Sequence, residues 1–325
     1  MAGFTAFVRR LAHGALVAFA VVTVTFALLQ LAPGEPLAGV AESPYASPEV
    51  IEQMRRNFGL DRPIHVQYAR YVRNLLRGDW GMSFAQRRPV LDALADALPN
   101  TVVLGLAALL VNFAGGIALG SIQALRPRSA LDKALSAVSL VLYSLPVFWL
   151  GLMLLLVFGQ VLGWFPVGGV VDPVTHPSLS PIGQALDRLH HLALPALALG
   201  LVGAGSTARY QRAALLEVLG QDFIRTARAA GLSERTVVLR HALPAALLPT
   251  ITLVGLTLPS LLSGAVLVET VFSWPGVGRL TVNAVLQRDY PMVAGAALLA
   301  SIAVVAANAV ADLAYRLADP RTREA

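Results

Sequence analysis

Long apolar runs separated by charged connectors dominate the chain. Six of them reach bilayer length: Leu11–Leu31, Pro99–Leu125, Ala134–Leu162, Leu192–Leu216, Ala245–Val268 and Met292–Leu317. At about 1.5 Å of rise per residue, some 20 apolar residues cross about 30 Å of hydrocarbon, so each run predicts a spanning helix. The first follows Arg9 and Arg10 and runs into Ala32-Pro33-Gly34-Glu35-Pro36. It exceeds the roughly 7 to 15 apolar residues of a secretory signal and meets no small-residue cleavage site, so it reads as a retained span. Pro146, Pro195 and Pro259 fall inside runs and predict bends, since in lipid the carbonyls they free are satisfied by neighbouring helices or water-lined cavities.

Between the first two runs, residues 33–98 turn polar, with eight arginines and eight acids. Ser47 before Pro48 and Glu49 marks a helix start with proline at the first helical position, and Gly59 its stop. A second helix is predicted over Ile64–Leu76, ending before Gly78. After the fifth run comes VETVFSWPGVGRLTVNAVLQRDYP, which predicts a turn and a short interfacial helix, with Trp274 and Tyr290 at the depth of an aromatic belt. The organisation is therefore a spanning helix (residues 1–32), a helical outer segment (33–98) and a five-helix core (99–320). The core carries a charged loop over residues 217–244, and no internal repeat divides it.

That loop has its own grammar. A helix is predicted from Gln221 to Ala230, ending at Gly231, where a left-handed position meets no Cβ clash. Ser233 restarts a helix as N-cap with Glu234 in the first turn, although Thr236 leaves the capping box incomplete. Asp222, Arg225 and Arg228 recur at i, i+3 and i+6, opposite a smaller apolar face of Phe223, Ala227 and Ala230. Such a helix is either a solvated connector obeying the positive-inside rule or a docking element.

Composition agrees with the pattern. Of 325 residues, 56% are hydrophobic and 14% charged, and the mean hydropathy is +0.66, so the chain is an all-α polytopic membrane protein. The net charge of +6 does not imply nucleic acid, because the basic residues lie in connectors rather than along one face. They choose an orientation instead. Arg9 and Arg10, then Arg126, Arg128 and Lys133, then six arginines between Arg209 and Arg240, then Arg316, Arg321 and Arg323 fall on one side; the two short opposite loops hold only Arg188, Arg279 and Arg288. Both termini are thus predicted to be cytoplasmic. With no cysteine there is no disulfide framework or thiolate chemistry.

Polar residues within or near the runs are few: Asn112, Ser206, Glu269, Asn308 and Asp312. Ionisable groups within a span are functional candidates; Asn308 and Asp312, at i and i+4, read either as such or as a capping or interhelical pair. No metal-binding or catalytic motif is present; the only lysine, Lys133, precedes Ala134, so no phosphate-binding P-loop exists. Any active transport must draw on a separate ATPase or on an ion gradient. An ion-coupled carrier calls for symmetric halves and midplane titratable groups, which are scarce. An intramembrane protease finds no support in His13 or His241, which lie at span ends.

The run RTARAAG, then nine residues, then His241-Ala242-Leu243-Pro244, resembles the EAA loop of bacterial binding-protein-dependent ABC importer permeases. Arg225 stands where the general motif has Glu and His241 where it often has Ile, departures that are similar to the dipeptide, oligopeptide and nickel branch. PGEP after the first span, GDWGMSF, RRPV and the VFSWPGVGRL segment are also similar to that branch, so the resemblance runs from about Phe4 to Arg321. It implies the type I permease fold of six transmembrane helices with a small helical outer domain between the first two. It implies a non-catalytic permease subunit that forms half the pathway of an ATP-driven importer for peptides or related small solutes, in the bacterial inner membrane. The implied partners are a homologous second permease subunit, two ATP-binding subunits that carry ATP and Mg, an extracytoplasmic solute-binding protein and the lipid bilayer. No nucleic acid and no cofactor in this chain are implied. The residues implied to couple to the ATPase are Asp222, Phe223, Arg225, Thr226, Arg228, Ala229, Ala230 and Gly231. The outer segment reads as a cap or as the receiver of the binding protein.

Overall fold

The computed structural model describes residues 2–31, 48–57 and 61–318. These form helices and turns, with no named strand among them. In chain order the helices are α1 (Ala2–Leu31), α2 (Pro48–Asn57), α3 (Ile64–Leu76), α4 (Val90–Leu125), α5 (Ala130–Ser144), α6 (Val147–Leu154), α7 (Pro181–Leu219), α8 (Asp222–Ala229), α9 (Glu234–Thr236), α10 (Leu243–Val271), α11 (Val277–Leu286) and α12 (Tyr290–Ala318). Two π-helical stretches, Leu155–Val161 and Val237–Ala242, continue α6 and lead into α10. Within the described residues four helices are long and apolar enough to cross a membrane, and a fifth span is counted if α5 and α6 are one bent span. The Ala245–Val268 run lies in the 29-residue α10.

Hydropathy located these helices but not all their ends. The second run was expected from Pro99; α4 begins at Val90 and carries Pro99 inside it. The fourth was expected from Leu192; α7 begins at Pro181, with Ser180 Oγ accepting the Gly183 N–H and proline in the first turn. The α7 extension is a polar turn started by the Ser180 cap, which hydropathy does not sense, while that of α4 carries Asp92 and Asp96 and buries Val90, Ala93 and Leu94 against Ala284, Met292 and Ala296. Among the proline bends, Pro146 behaves as predicted. Leu145 before it is extended, as the proline ring requires, and α5 and α6 meet at 107°. Pro195 lies inside the 39-residue α7. The start of α2 at Pro48 and the span of α3 match the expectation; Ser47 and Gly59 lie outside the described residues.

The chain divides into two compact units. In the first (Met1–Asn100 with Gly276–Val305), α3 lies along the end of α1. Tyr68 and Tyr71 pack on Phe26, with ring centroids 5.2 and 5.8 Å away, and the Tyr68 hydroxyl shares a 2.7 Å hydrogen bond with Thr23. Burial pushes the Tyr71 phenol up to about 12. The GDWGMSF and RRPV motifs form a tight turn closed by a bridge between Met82 and Pro89. Its anchor is the buried Asp289. That carboxylate accepts a short hydrogen bond from Ser83 Oγ and the N–H groups of Phe84 and Ala85 at 3.1 and 3.2 Å, while capping α12 through Met292 N–H at 3.3 Å. Removing it orphans several buried donors, each worth about 1–3 kcal/mol. Asp289→Ala should therefore lower the thermal midpoint of the detergent-solubilised protein and speed tryptic cleavage after Arg87, measured against the wild-type chain.

The second unit (Thr101–Pro275 with Ala306–Ala325) is organised around α7, which packs against α5, α6 and α10. Its core joins Leu104 and Ala108 of α4, Leu194 and Ala198 of α7, and Val268, Phe272 and Trp274 at the end of α10. Trp274, expected at an aromatic belt, is instead fully buried there, because Phe272 and Trp274 turn inward at the helix end. The contact of α4 with α7 is made by small residues: a Cβ on Gly120 would lie 2.3 Å from the Ala208 carbonyl oxygen, and one on Gly200 would lie 2.7 Å from that of Ala108. Close backbone approach is the usual way helices associate in lipid, where apolar burial alone gives little drive.

Candidate functional site

The charged loop leaves α7 at Leu219, where Gly220 caps the helix. Gln221 then serves as N-cap of α8, with Asp222 in its first turn, where the macrodipole favours an acid. After Ala229 the chain reverses through Gly231 at φ +80°. A side chain there would meet no atom within 4 Å, so the glycine is required by backbone conformation alone. Ser233 Oγ accepts the Thr236 N–H at 3.3 Å and shares a 2.8 Å hydrogen bond with Thr236 Oγ1, so the residue that breaks the capping box still contributes to the cap. Helix, glycine reversal and restart all lie where the sequence placed them.

The orientation of α8 differs from the expectation in one respect. Its only buried side chain is Ile224, at 0% exposure, with Ala227 half-buried beside it. Ile224 enters a cluster of Ala124 from α4, Leu215 and Val218 from α7, Val237 and Ala242 from the π turn, and Ala246 from α10. Phe223, assigned to the apolar face, is instead exposed. Ile224 is one residue further round the helix, and the wheel turns Phe223 outward when Ile224 points in. The other implied coupling residues, Asp222, Arg225, Thr226, Arg228, Ala229, Ala230 and Gly231, are all exposed. The outer face of α8 is therefore a contiguous surface of one aromatic ring, small residues and charges.

The charges are arranged. Arg225 Nη1 reaches Asp222 Oδ1 at 3.3 Å along the helix. Arg228 crosses the glycine turn to Glu234, with Nε and Nη2 on the two carboxylate oxygens at 3.1 and 2.7 Å. This bidentate pair holds the Glu234 carboxyl below its ordinary value and raises the Arg228 guanidinium. A depressed acid contributes stability that is fully present above its unfolded value and is lost as pH falls through the folded one. The brace should thus be constant through the neutral range and fail only in acid. Glu234→Gln should mimic that failure at neutral pH, measured as faster tryptic cleavage after Arg228 in the solubilised variant than in the wild-type protein.

Other polar residues that the sequence marked find partners inside the second unit. Asn112 Oδ1 accepts from Thr207 Oγ1 at 2.8 Å, and Glu269 accepts from Thr101 Oγ1 at 2.7 Å. Asn308 is exposed, and the side chain of Asp312 lies outside the described residues. Three buried residues on which sequence reading was silent are Gln123, Asp132 and Gln211. The signal for Asp132 was its place three residues after the helix-capping Ser129. Among the described residues no group of three or more His, Asp or Glu is placed to hold a metal.

Comparison with known proteins follows this geometry. Residues 116–324 match the family described as "Binding-protein-dependent transport system inner membrane component", and residues 3–105 match its N-terminal companion. The chain is 42% identical over 317 residues to the "Di/tripeptide transport system permease protein DppB" of Pseudomonas aeruginosa, covering 94% of both chains. It is 37% identical over 315 residues to the "Oligopeptide transport system permease protein AppB" of Bacillus subtilis, covering 97% of this chain and 98% of that one. In fold it is similar to a chain of the inward-facing MetNI methionine ABC transporter, with TM-score 0.53, 19% identity and coverage of 70% of this chain and 96% of the other. The two family matches and the near full-length relatives agree: the chain belongs to the family of binding-protein-dependent transport system inner membrane components.

Proposed function

We propose that this chain is the membrane permease subunit of an ATP-driven, binding-protein-dependent importer of short peptides, and that α8 is its docking surface for an ATPase subunit. The observation that carries the reading is the short helix seated by Ile224 and the half-buried Ala227, with Asp222, Phe223, Arg225, Thr226, Arg228, Ala229, Ala230 and Gly231 left outward. A solvated connector has no need of a buried anchor, a bidentate brace and an exposed phenylalanine on one helix. The peptide specificity rests on the names of the relatives. The partners are a homologous second permease, two ATP-binding subunits that hold ATP and Mg, and an extracytoplasmic binding protein that the segment before α4 receives. The chain itself performs no catalysis. Both termini face the cytoplasm of a bacterial inner membrane, as the lysine and arginine distribution favours. The family match leaves the ion-coupled alternative without support.

Co-expression with the cognate subunits and reconstitution into proteoliposomes tests this. Uptake of a labelled di- or tripeptide should require ATP and binding protein and be indifferent to a proton gradient; the reverse dependence would replace the reading by an ion-coupled carrier. Orientation is tested separately. Because the chain has no cysteine, single cysteines at Arg126, Val174 and Arg235, all exposed, report without background. An impermeant thiol reagent outside intact cells should label position 174 alone.

A further inference from the structure

We infer that a belt of three polar contacts along α7 between Thr207 and Arg212, two of them buried and the third half-buried, is the transmission element that makes α4, α5 and α10 move with α8 as one body. This rests on the docking role proposed above. Within two turns, α7 directs one side chain to each of three neighbouring helices. Thr207 Oγ1 donates to Asn112 of α4 at 2.8 Å. Gln211 Oε1 accepts from Thr250 of α10 at 2.6 Å. Arg212 makes a two-pronged contact with Asp132 at the start of α5, Nε to Oδ1 and Nη2 to Oδ2, both at 2.9 Å. Asp132 also accepts the Arg128 N–H at 2.9 Å and the Ser136 hydroxyl at 3.3 Å, so its carboxylate is fixed before Arg212 reaches it. Thr207, Gln211, Asn112, Thr250 and Asp132 are all buried.

The position of the belt gives it its role. Next along α7 are Leu215 and Val218, which seat Ile224, so any displacement of α8 meets that apolar cluster first and the belt next. Apolar side chains can slide past one another in lipid at little cost, because lipid is as apolar as they are. Directional bonds fix the register of helices against each other, most firmly where water is excluded, as it is at Thr207–Asn112 and Gln211–Thr250. A belt that ties α7 to three helices at one level therefore converts a push on α8 into a joint displacement. Asp132 and Arg212 are positioning residues, since neither lies on the exposed face of α8.

The test uses the complete complex of both permeases and the ATPase subunits in lipid nanodiscs. It compares basal ATP hydrolysis with hydrolysis stimulated by peptide-loaded binding protein. Asp132→Asn and Thr250→Val should assemble and keep basal hydrolysis close to wild type, while the stimulation ratio falls about tenfold, within the range of ordinary allosteric coupling. Asp132→Glu, which keeps a carboxylate for Arg212 and for the Arg128 N–H, should retain most of it. Undiminished stimulation in both Asp132→Asn and Thr250→Val would overturn the inference. So would a loss that tracks loss of assembly, or one as large in Asp132→Glu as in Asp132→Asn, which would make the belt merely structural. Failure of the wild-type chain to bind ATPase subunits at all would instead overturn the docking role itself.

Discussion

Ile224→Asp should abolish uptake while leaving the protein in the membrane. Ile224 is the single fully buried side chain of α8 and is surrounded by apolar groups from α4, α7, the π turn and α10. An ionised carboxylate there has no partner and costs several kcal/mol, with desolvation deciding the magnitude. Against this, α8 has only Ala227 besides to hold it, so the helix leaves its seat rather than carry the charge inside. Removing most of the side chain in Ile224→Ala costs about 2–5 kcal/mol and should give an intermediate loss. The spanning helices owe nothing to this contact, so membrane-fraction levels should stay near wild type. Trypsin cleavage after Arg225 and Arg228 in solubilised membranes, together with recovery of ATPase subunits on the purified chain, reads the result. Wild-type cleavage and recovery in Ile224→Asp would mean that α8 is held by something other than its buried anchor.

The second large effect is expected at Gly120. A Cβ there falls 2.3 Å from the Ala208 carbonyl oxygen and 3.0 Å from the Arg212 nitrogen, both backbone atoms of α7. Backbone inside a helix cannot step aside as a flexible side chain does, so α4 and α7 must separate. Overpacking of this kind costs about 1–3 kcal/mol and at times more; a branched residue should sit at the upper end. Separation also lengthens the Asn112 to Thr207 hydrogen bond on the same interface. Gly120→Val should therefore reduce both the yield and the thermal midpoint of the solubilised protein. Gly105→Ala on the same helix, where a Cβ meets nothing within 4 Å, should be neutral and serves as the control. Equal midpoints for the two variants would show that the α4–α7 contact is slack.

These two residues differ in how far the sequence discloses them. The helices were legible because each apolar run is long enough for a bilayer, and the reversal at Gly231 was legible because glycine and a following serine carry local backbone meaning. Ile224 was hidden by its neighbour: on a helix of eight residues, Phe223 and Ile224 are nearly equivalent anchors until the tertiary seat chooses one. The starts of α4 and α7 were hidden for another reason, since Ser180 and Pro181 extend α7 through residues too polar to register as a span. Asp132, Gln211 and Thr250 were least visible. Their significance lies in pairing across 39 and 80 positions of chain, which no local pattern records. Asp289 lies in a Gly- and Pro-containing segment with no local pattern to mark it, and only the fold shows four donors converging on it.

The π turn at Val237–Ala242 holds one more consequence. There Leu243 N–H bonds to Val238, five residues back, so the turn carries one residue more than an α-helix needs. Pro244 follows directly and has no N–H to offer, which makes this the place where an extra residue is absorbed with the fewest broken bonds. The turn acts as a phase setter. Deleting a single residue from it would regularise the helix and rotate everything before it by about 100° relative to α10. A family of such permeases could therefore re-aim its docking face by gaining or losing one residue here, without altering a single side chain on that face.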